Sequence, residues 1–262
     1  MPNLIVQRDD AGVVTVTLNR PDKKNAISRE MFQELIDVFD EIAASRDDRV
    51  LVLTGAGDAF TSGADLTASD AADVTKGVGA ALHSMRVVGR AALRLHDLPK
   101  PTIAAVNGVA VGAGCNLALG CDLIVAADTA RFSEIFARRG LSLDFGGSWV
   151  LPRLIGLHKA KELAFLADVI SADEAERFGI VNRVVSAADL DKVVGELAHR
   201  IAAQPPVQIS ITKKLLNQSL SVSMAEALEF EDVAQSLAFS SSDTAEAMLA
   251  FLEKREPRFT GE

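Results

Sequence analysis

Two turns built from small residues carry the chemistry that this chain offers. One is Gly63-Ala64 within Phe60-Thr61-Ser62-Gly63-Ala64-Asp65-Leu66. The other is Gly112-Ala113-Gly114, inside the stretch Lys100 to Asp122, KPTIAAVNGVAVGAGCNLALGCD. The stretch reads as a strand, a tight turn at Asn107-Gly108, and the start of a buried helix at Cys115 to Leu119. Backbone N–H groups at a helix start are unpaired and favour negative charge, and residues without bulk let a ligand approach them. Each turn follows a strand expected in one parallel sheet, and loops at the carboxyl ends of parallel strands gather on one face. One N–H from each turn can then pinch a single oxygen. Such an oxyanion hole is worth several kcal/mol when charge develops on a carbonyl oxygen. A strand-helix turn whose Gly and Ala serve only packing has the same composition, and spacing does not separate the two readings.

Other templates fail. Gly146-Gly147-Ser148-Trp149-Val150 ends in Val where a nucleophile elbow needs Gly. His83, His96, His158 and His199 lack ligand spacing and Cys neighbours, so no metal site is expected. Gly55-Ala56-Gly57 and Gly112-Ala113-Gly114 have Phe60 and Leu117 where a dinucleotide fingerprint needs its third Gly.

The elements that must position these turns follow from periodicity. Leu4 to Gln7 and Val13 to Leu18 flank Asp9-Asp10-Ala11-Gly12 as a hairpin. Ser28 caps a helix with Met31, Phe32, Leu35, Ile36, Val38, Phe39 and Ile42 at helical spacing. Arg49 to Thr54 is a buried strand, and residues 60–66 are a loop. Residues 67–78 have no period and read as mobile. A helix spans 80–96, and a strand Leu123 to Ala126. This β-β-α-β-loop-α-β-α-β order predicts an α/β fold with crossover helices. From 158 the chain is mainly helical (158–168, 172–178, 189–204, 207–219, 223–239 and 243–254), with a short strand at 180–185. We divide it into a core at 1–195 and a helical region at 196–262. The last helices are apolar beyond one stripe, which self-association or packing on the core would explain.

Composition narrows the function. The chain has 262 residues, net charge −9 and no long basic block, so neither nucleic acid nor an anionic membrane surface is an expected partner. No apolar run is long enough to span a membrane, and the N-terminus lacks the pattern of a secretory signal. Cys115 and Cys121 read as free core thiols of a reducing compartment. A cytoplasmic protein is expected.

Six stretches, in order, are distinctive together: Asn19-Arg20-Pro21 with Asn25-Ala26; Phe60 to Leu66; Lys100 to Gly108; Gly112-Ala113-Gly114-Cys115 with Cys121-Asp122; Gly146-Gly147; and Ala250 to Arg255 with Pro257 and Phe259. On these the chain resembles the crotonase (enoyl-CoA hydratase/isomerase) superfamily over essentially its whole length. The resemblance implies a crotonase-type ββα spiral core with a C-terminal helical trimerisation region, giving a homotrimer or a dimer of trimers. It implies an acyl-CoA thioester substrate, with coenzyme A as part of the substrate and no separate cofactor. The thioester oxygen would sit between the amides of Ala64 and Ala113. Lys24, Ala26, Ser62, Ala64, Asp65, Leu66, Ala113, Phe136 and Gly140 would contact substrate, with Lys24 near a phosphate. Lys23-Lys24 also reads as a solvated charge pair. Residues 67–95 and 136–145 would shape the acyl pocket.

The departures from the family pattern bear on the reaction. Hydratases of the family carry two glutamates; here those positions hold Asn116 and Phe136, and neither an amide nor a phenyl ring is a general acid or base. Asp144 stands where isomerase-like members carry an acid, including Δ3,Δ2-enoyl-CoA isomerases and ring-epoxide isomerases. One carboxylate suffices for a 1,3-proton shift, and apolar Leu143, Phe145 and Phe136 should raise its pKa. Asp144 reads equally as the N-cap of a helix starting at Gly146. Glu134 is expected to point away, two residues before Phe136 in a helical turn. The expected function is an enoyl-CoA isomerase. A hydratase, or a catalytically weak acyl-CoA-binding scaffold, is the alternative.

Overall fold

The computed structural model describes residues 2–66 and 77–262. The expected mobile segment therefore lies mostly outside the described residues, as does 67–76 of the expected pocket wall.

The hairpin forms as β1 (Leu4–Arg8) and β2 (Val13–Leu18), antiparallel with Leu4 opposite Leu18. Gly12 closes it at φ +81°, where a side chain would also strike the Asp47 carbonyl. α1 (Arg29–Ala44) starts on Ser28, whose hydroxyl accepts from the Met31 N–H at 3.3 Å. Its buried face is Met31, Phe32, Leu35, Ile36, Phe39 and Ile42, the stripe that 3.6-residue spacing requires. There follow β3 (Val50–Gly55), β4 (Ala59–Thr61), α2 (Val78–His96), β5 (Thr102–Val106), β6 (Val109–Val111), α3 (Ala113–Leu119), β7 (Leu123–Ala127) and β8 (Arg131–Ser133). A 3-10 turn at Ile135–Arg139 leads to α4 (Gly147–Ile155), α5 (Leu157–Leu166), β9 (Ile170–Ser171), α6 (Ala172–Phe178) and β10 (Arg183–Val185). α7 (Leu190–Ala202), α8 (Pro206–Gln218), α9 (Met224–Phe239) and α10 (Ser242–Glu253) complete the chain.

The strands form two sheets, β1-β2-β3-β5-β7-β10 and β4-β6-β8-β9. From β2 to β10 the first sheet is parallel. β3-β4-α2 and β5-β6-α3 repeat one unit: a strand in the first sheet, a short strand in the second, then a helix. This is the ββα spiral. The first sheet is buried on both faces, as parallel sheets are. Val14, Val16, Leu51, Leu53, Ala104 and Val106 face α1, α2 and α3, together with Phe39, Phe60 and Phe132. Val13, Val50, Val52, Ile103 and Val125 face Leu190, Val194 and Ala198 of α7. The core boundary expected at 195 thus falls inside a helix that closes the sheet.

The second sheet corrects the expectation of one sheet and of a loop at 60–66. Its strands β4, β6 and β8 have only three residues each, too few to display alternation. Asn107-Gly108 turns between β5 and β6 rather than into a helix. Gly108 is required there because a Cβ would lie 2.1 Å from the Asp58 carbonyl. α9 and α10 bury Ala250 but leave their large apolar residues off the core: Val233, Leu237, Phe239, Phe251 and Leu252 are all exposed. Among the described residues, no helix is long and apolar enough to cross a membrane.

Candidate active site

Both turns follow strands of the second sheet. β4 and β6 are parallel neighbours, with Ala59 opposite Val109 and Thr61 opposite Ala110, so the turns after them leave side by side. Ile27 donates to the Gly63 carbonyl at 2.8 Å and accepts from the Asp65 N–H at 2.9 Å. This one-residue parallel bridge aims the N–H of Ala64 away from Ile27, because backbone groups alternate along an extended segment. Gly63 adopts φ +93°, and a Cβ there would lie 3.5 Å from the Ala113 nitrogen. Gly114 lies against Thr61 and the Gly63 nitrogen. The two turns are therefore in contact. No protein acceptor among the described residues takes the N–H of Ala64 or Ala113.

The loop below is zipped to residues 19–26. The Ser62 N–H donates to the Lys24 carbonyl at 2.9 Å. Lys24 and Asn25 both have positive φ, 50° and 55°. The buried Asn25 side chain holds this shape by donating to Ala56 and Ala59 carbonyls and accepting from the Arg20 N–H. Asp65, expected to touch substrate, is buried and accepts from Arg20 at 2.8 Å and Lys23 at 3.4 Å. Its carboxylate thus ties the two segments together. Lys24 is exposed and pairs with Asp58 at 2.6 Å. Ala26 is buried, Ser62 and Leu66 lie at the surface, and Gly140 is exposed at the end of the 3-10 turn.

Behind the turns, Phe136 is buried with its ring about 4 Å from the place a Cβ on Gly112 would occupy. Asp144 lies in the segment entering α4. Its side chain does not cap that helix: the N-cap is Gly146, without a side-chain bond, and only the Asp144 main-chain carbonyl accepts from Gly147, at 2.9 Å. Phe145 is held at φ +47°, a costly conformation for a bulky residue. Its ring packs on Phe32, with centroids 6.0 Å apart. This anchored, strained corner sets the backbone of Asp144, and the carboxylate Oδ1 is buried without a protein donor. Burial raises its pKa to about 6.

Asn116, on α3, donates from Nδ2 to the Asp144 carbonyl at 3.0 Å and to Glu134 Oε2 at 3.4 Å. It fits because residue 147 is Gly; a Cβ there would meet the Asn116 amide at 2.3–2.5 Å. Glu134 corrects the expectation that it points away. Its backbone, at φ −84° and ψ 62°, precedes the 3-10 turn rather than joining a helix. The side chain is buried beside Cys115 and Asn116, and its pKa rises to about 7, through burial above all and then through the charge of Asp144. Position gave the missed signal: Ser133 pairs with Val111 across β8 and β6, so residue 134 enters next to residue 112. Cys115 and Cys121 are free and buried.

The ββα spiral, with two small-residue turns in contact after neighbouring strands of its second sheet, defines the crotonase class. The model of the enoyl-CoA hydratase/isomerase family matches residues 8–262. A 1,2-epoxyphenylacetyl-CoA isomerase of Escherichia coli K12 is 37% identical, with both chains covered in full. A short-chain-enoyl-CoA hydratase of Clostridium acetobutylicum is 36% identical, with 97% of this chain and 96% of that one covered. The crystal structure of an enoyl-CoA hydratase from Bacillus anthracis superposes with a TM-score of 0.94 at 32% identity, covering 100% of each chain. The chain belongs to the enoyl-CoA hydratase/isomerase family of the crotonase superfamily.

Proposed function

We propose that this enzyme isomerises an enoyl-CoA thioester by a 1,3-proton shift through an enolate. Asp144 as carboxylate takes a proton from C2, and the electron pair moves into the thioester carbonyl. The oxyanion rests on the N–H groups of Ala64 and Ala113, and protonated Asp144 returns its proton to C4. The double bond ends in conjugation, and one carboxylate starts and finishes ionised. Ring-epoxide isomerisation of a CoA thioester is a variant of the same reading, supported by the Escherichia coli relative. The observation that carries the proposal is the buried, donor-free Oδ1 of Asp144, on a side chain that caps no helix.

Lys24, Ala26, Ser62, Leu66, Phe136 and Gly140 belong to this reading as substrate contacts, with Asp65 shaping the loop. So do a cytoplasmic setting, supported by the two free thiols, and a trimer or dimer of trimers, supported by the apolar faces of α9 and α10. The test is D144N with a 3-enoyl-CoA, following the absorbance of the conjugated product, with thioester binding measured separately. Loss of turnover with retained binding supports the proposal; unchanged turnover overturns it. A second reading, hydration, is favoured by Glu134 as a second carboxylate near Asp144 and by the Clostridium relative. Incorporation of oxygen from labelled water into a 3-hydroxyacyl product would decide for it. Binding with neither reaction would leave an acyl-CoA scaffold.

A further inference from the structure

The isomerase reading uses one carboxylate, yet a second lies buried behind it. Glu134 reaches the Asn116 amide from one side, and the backbone of Asp144 reaches it from the other. Three buried oxygens of this cluster, Asn116 Oδ1, Glu134 Oε1 and Asp144 Oδ1, have no protein donor among the described residues. The groups facing Glu134 are Cys115 and Asn116 from α3 and Asp144 from the segment before α4. No ion pair among the described residues reaches either carboxylate. Arg138, on the adjoining 3-10 turn, is engaged by Asp168 at the surface. Ser133 turns its hydroxyl to the Ala167 carbonyl.

Two ionised carboxylates are poorly supported here, because Glu134 is buried and Asp144 half-buried beside it, and such charges need a cation or several donors. The donors present are one amide NH₂, already divided between two acceptors, and one weak thiol S–H. A proton on Glu134 resolves this. It removes one charge and places an O–H beside the Asn116 amide, whose Oδ1 otherwise lacks a donor. We propose that Glu134 is a positioning residue of this site: a neutral acid that braces Asn116, and through it the Asp144 backbone, and keeps a second negative charge away while Asp144 is ionised. Environments that push two carboxyl groups apart in this way assign one as base and the other as retained acid. The electrostatics point the same way: burial raises both carboxyl groups, and the charge of Asp144 raises Glu134 further. Ionisation of Glu134 opposes the enolate and closes the site.

This inference rests on the isomerase reading, and two experiments separate them. The first is the pH profile of kcat/KM for a 3-enoyl-CoA with the wild type and E134Q. We expect a bell in the wild type, its acid limb near 6 and its alkaline limb near 7, and loss of the alkaline limb in E134Q, because glutamine stays neutral. An alkaline limb unchanged in E134Q overturns the inference. The second needs no turnover: carbon-13 NMR of the full-length protein labelled at the glutamate side-chain carboxyl. One resonance, missing in E134Q, should titrate near 7 and move to lower pH in D144N, which removes the opposing charge. A Glu134 resonance that titrates with the surface carboxylates, or does not move in D144N, overturns the inference. Isomerase activity surviving in D144N would instead overturn the reading of the reaction, and leaves the titration to be judged by itself.

Discussion

Gly114 is the point at which the two turns touch, so G114A tests the oxyanion arrangement without altering any polar group. A Cβ at residue 114 would lie 2.5 Å from Thr61 Cγ2, 2.9 Å from the Thr61 carbonyl oxygen and 3.2 Å from the Gly63 nitrogen. Carbon atoms rest at roughly 3.5–4.0 Å, so the end of β4 and the start of α3 must separate by about 1 Å. Displacement of that size at a reacting centre costs on the order of 100-fold in rate, equivalent to about 2.7 kcal/mol. Stability changes less. Alanine within a helix gains about 1 kcal/mol over glycine, against a clash costing about 1–3 kcal/mol. The assay is kcat and KM for a 3-enoyl-CoA alongside thermal unfolding. We expect kcat to fall about 100-fold with a small change in Tm. T61S/G114A should recover part of the loss, because serine keeps the oxygen that accepts from the Gly63 N–H at 3.0 Å while removing Cγ2. Gly89, in α2, has open space around its Cβ position, and G89A controls for the substitution itself. A folded G114A with wild-type kcat would refute the pairing of the Ala64 and Ala113 amides.

Three further outcomes follow from the same structure. N25A should cost roughly 3–4 kcal/mol by urea unfolding, since it removes three side-chain bonds of about 1 kcal/mol each at a left-handed residue that alanine tolerates poorly; a loss under about 1 kcal/mol would deny the side chain its role in the loop. The folded state holds the proton of Glu134 more tightly than the unfolded chain does, so this group's stabilising contribution is present below about 4.5 and is lost as pH rises through about 7. E134Q should therefore gain stability relative to the wild type across that window, and parallel stability curves would contradict the burial of an ionisable acid. Replacing Leu237 or Phe251 by Glu should dissociate the protein in light scattering, and a monomeric wild type would remove the proposed trimer.

The legible parts of the sequence were those with long periods. α1 shows its buried stripe and its Ser28 cap over many residues, and small residues mark the two turns that the structure brings into contact. The second sheet was hidden because three-residue strands have no period, and its glycines resemble loop punctuation. Yet that sheet brings the turns together, by making β4 and β6 neighbours. Asp144 could be read as base or cap, and only the path through Phe145 and Gly146 separates them. Helical spacing does not apply to Glu134, because its backbone is not helical.

The proposed chemistry and the electrostatics of the site agree on one quantity, its net charge. When Asp144 takes a proton, its negative charge is cancelled as an equal charge forms on the thioester oxygen. The total stays at minus one through both proton transfers, provided Glu134 remains neutral. A site with constant charge needs no cation, and among the described residues no ion pair reaches these carboxylates. What it needs is neutral dipoles fixed in place: two amides at the developing oxyanion, and Asn116 held between Glu134 and the Asp144 backbone. Adding a charged group near Asn116 should therefore damage the site more than removing a dipole from it. G147D tests this directly. Its Cβ alone would displace the Asn116 amide, and its carboxylate would add a second negative charge. G147A brings the same Cβ without the charge. If kcat fell equally in the two variants, steric displacement alone would explain the loss and the constancy of charge would have no part in it. A further drop in G147D, with the ratio of G147D to G147A rising toward acid pH as the added carboxylate is protonated, is the expected result.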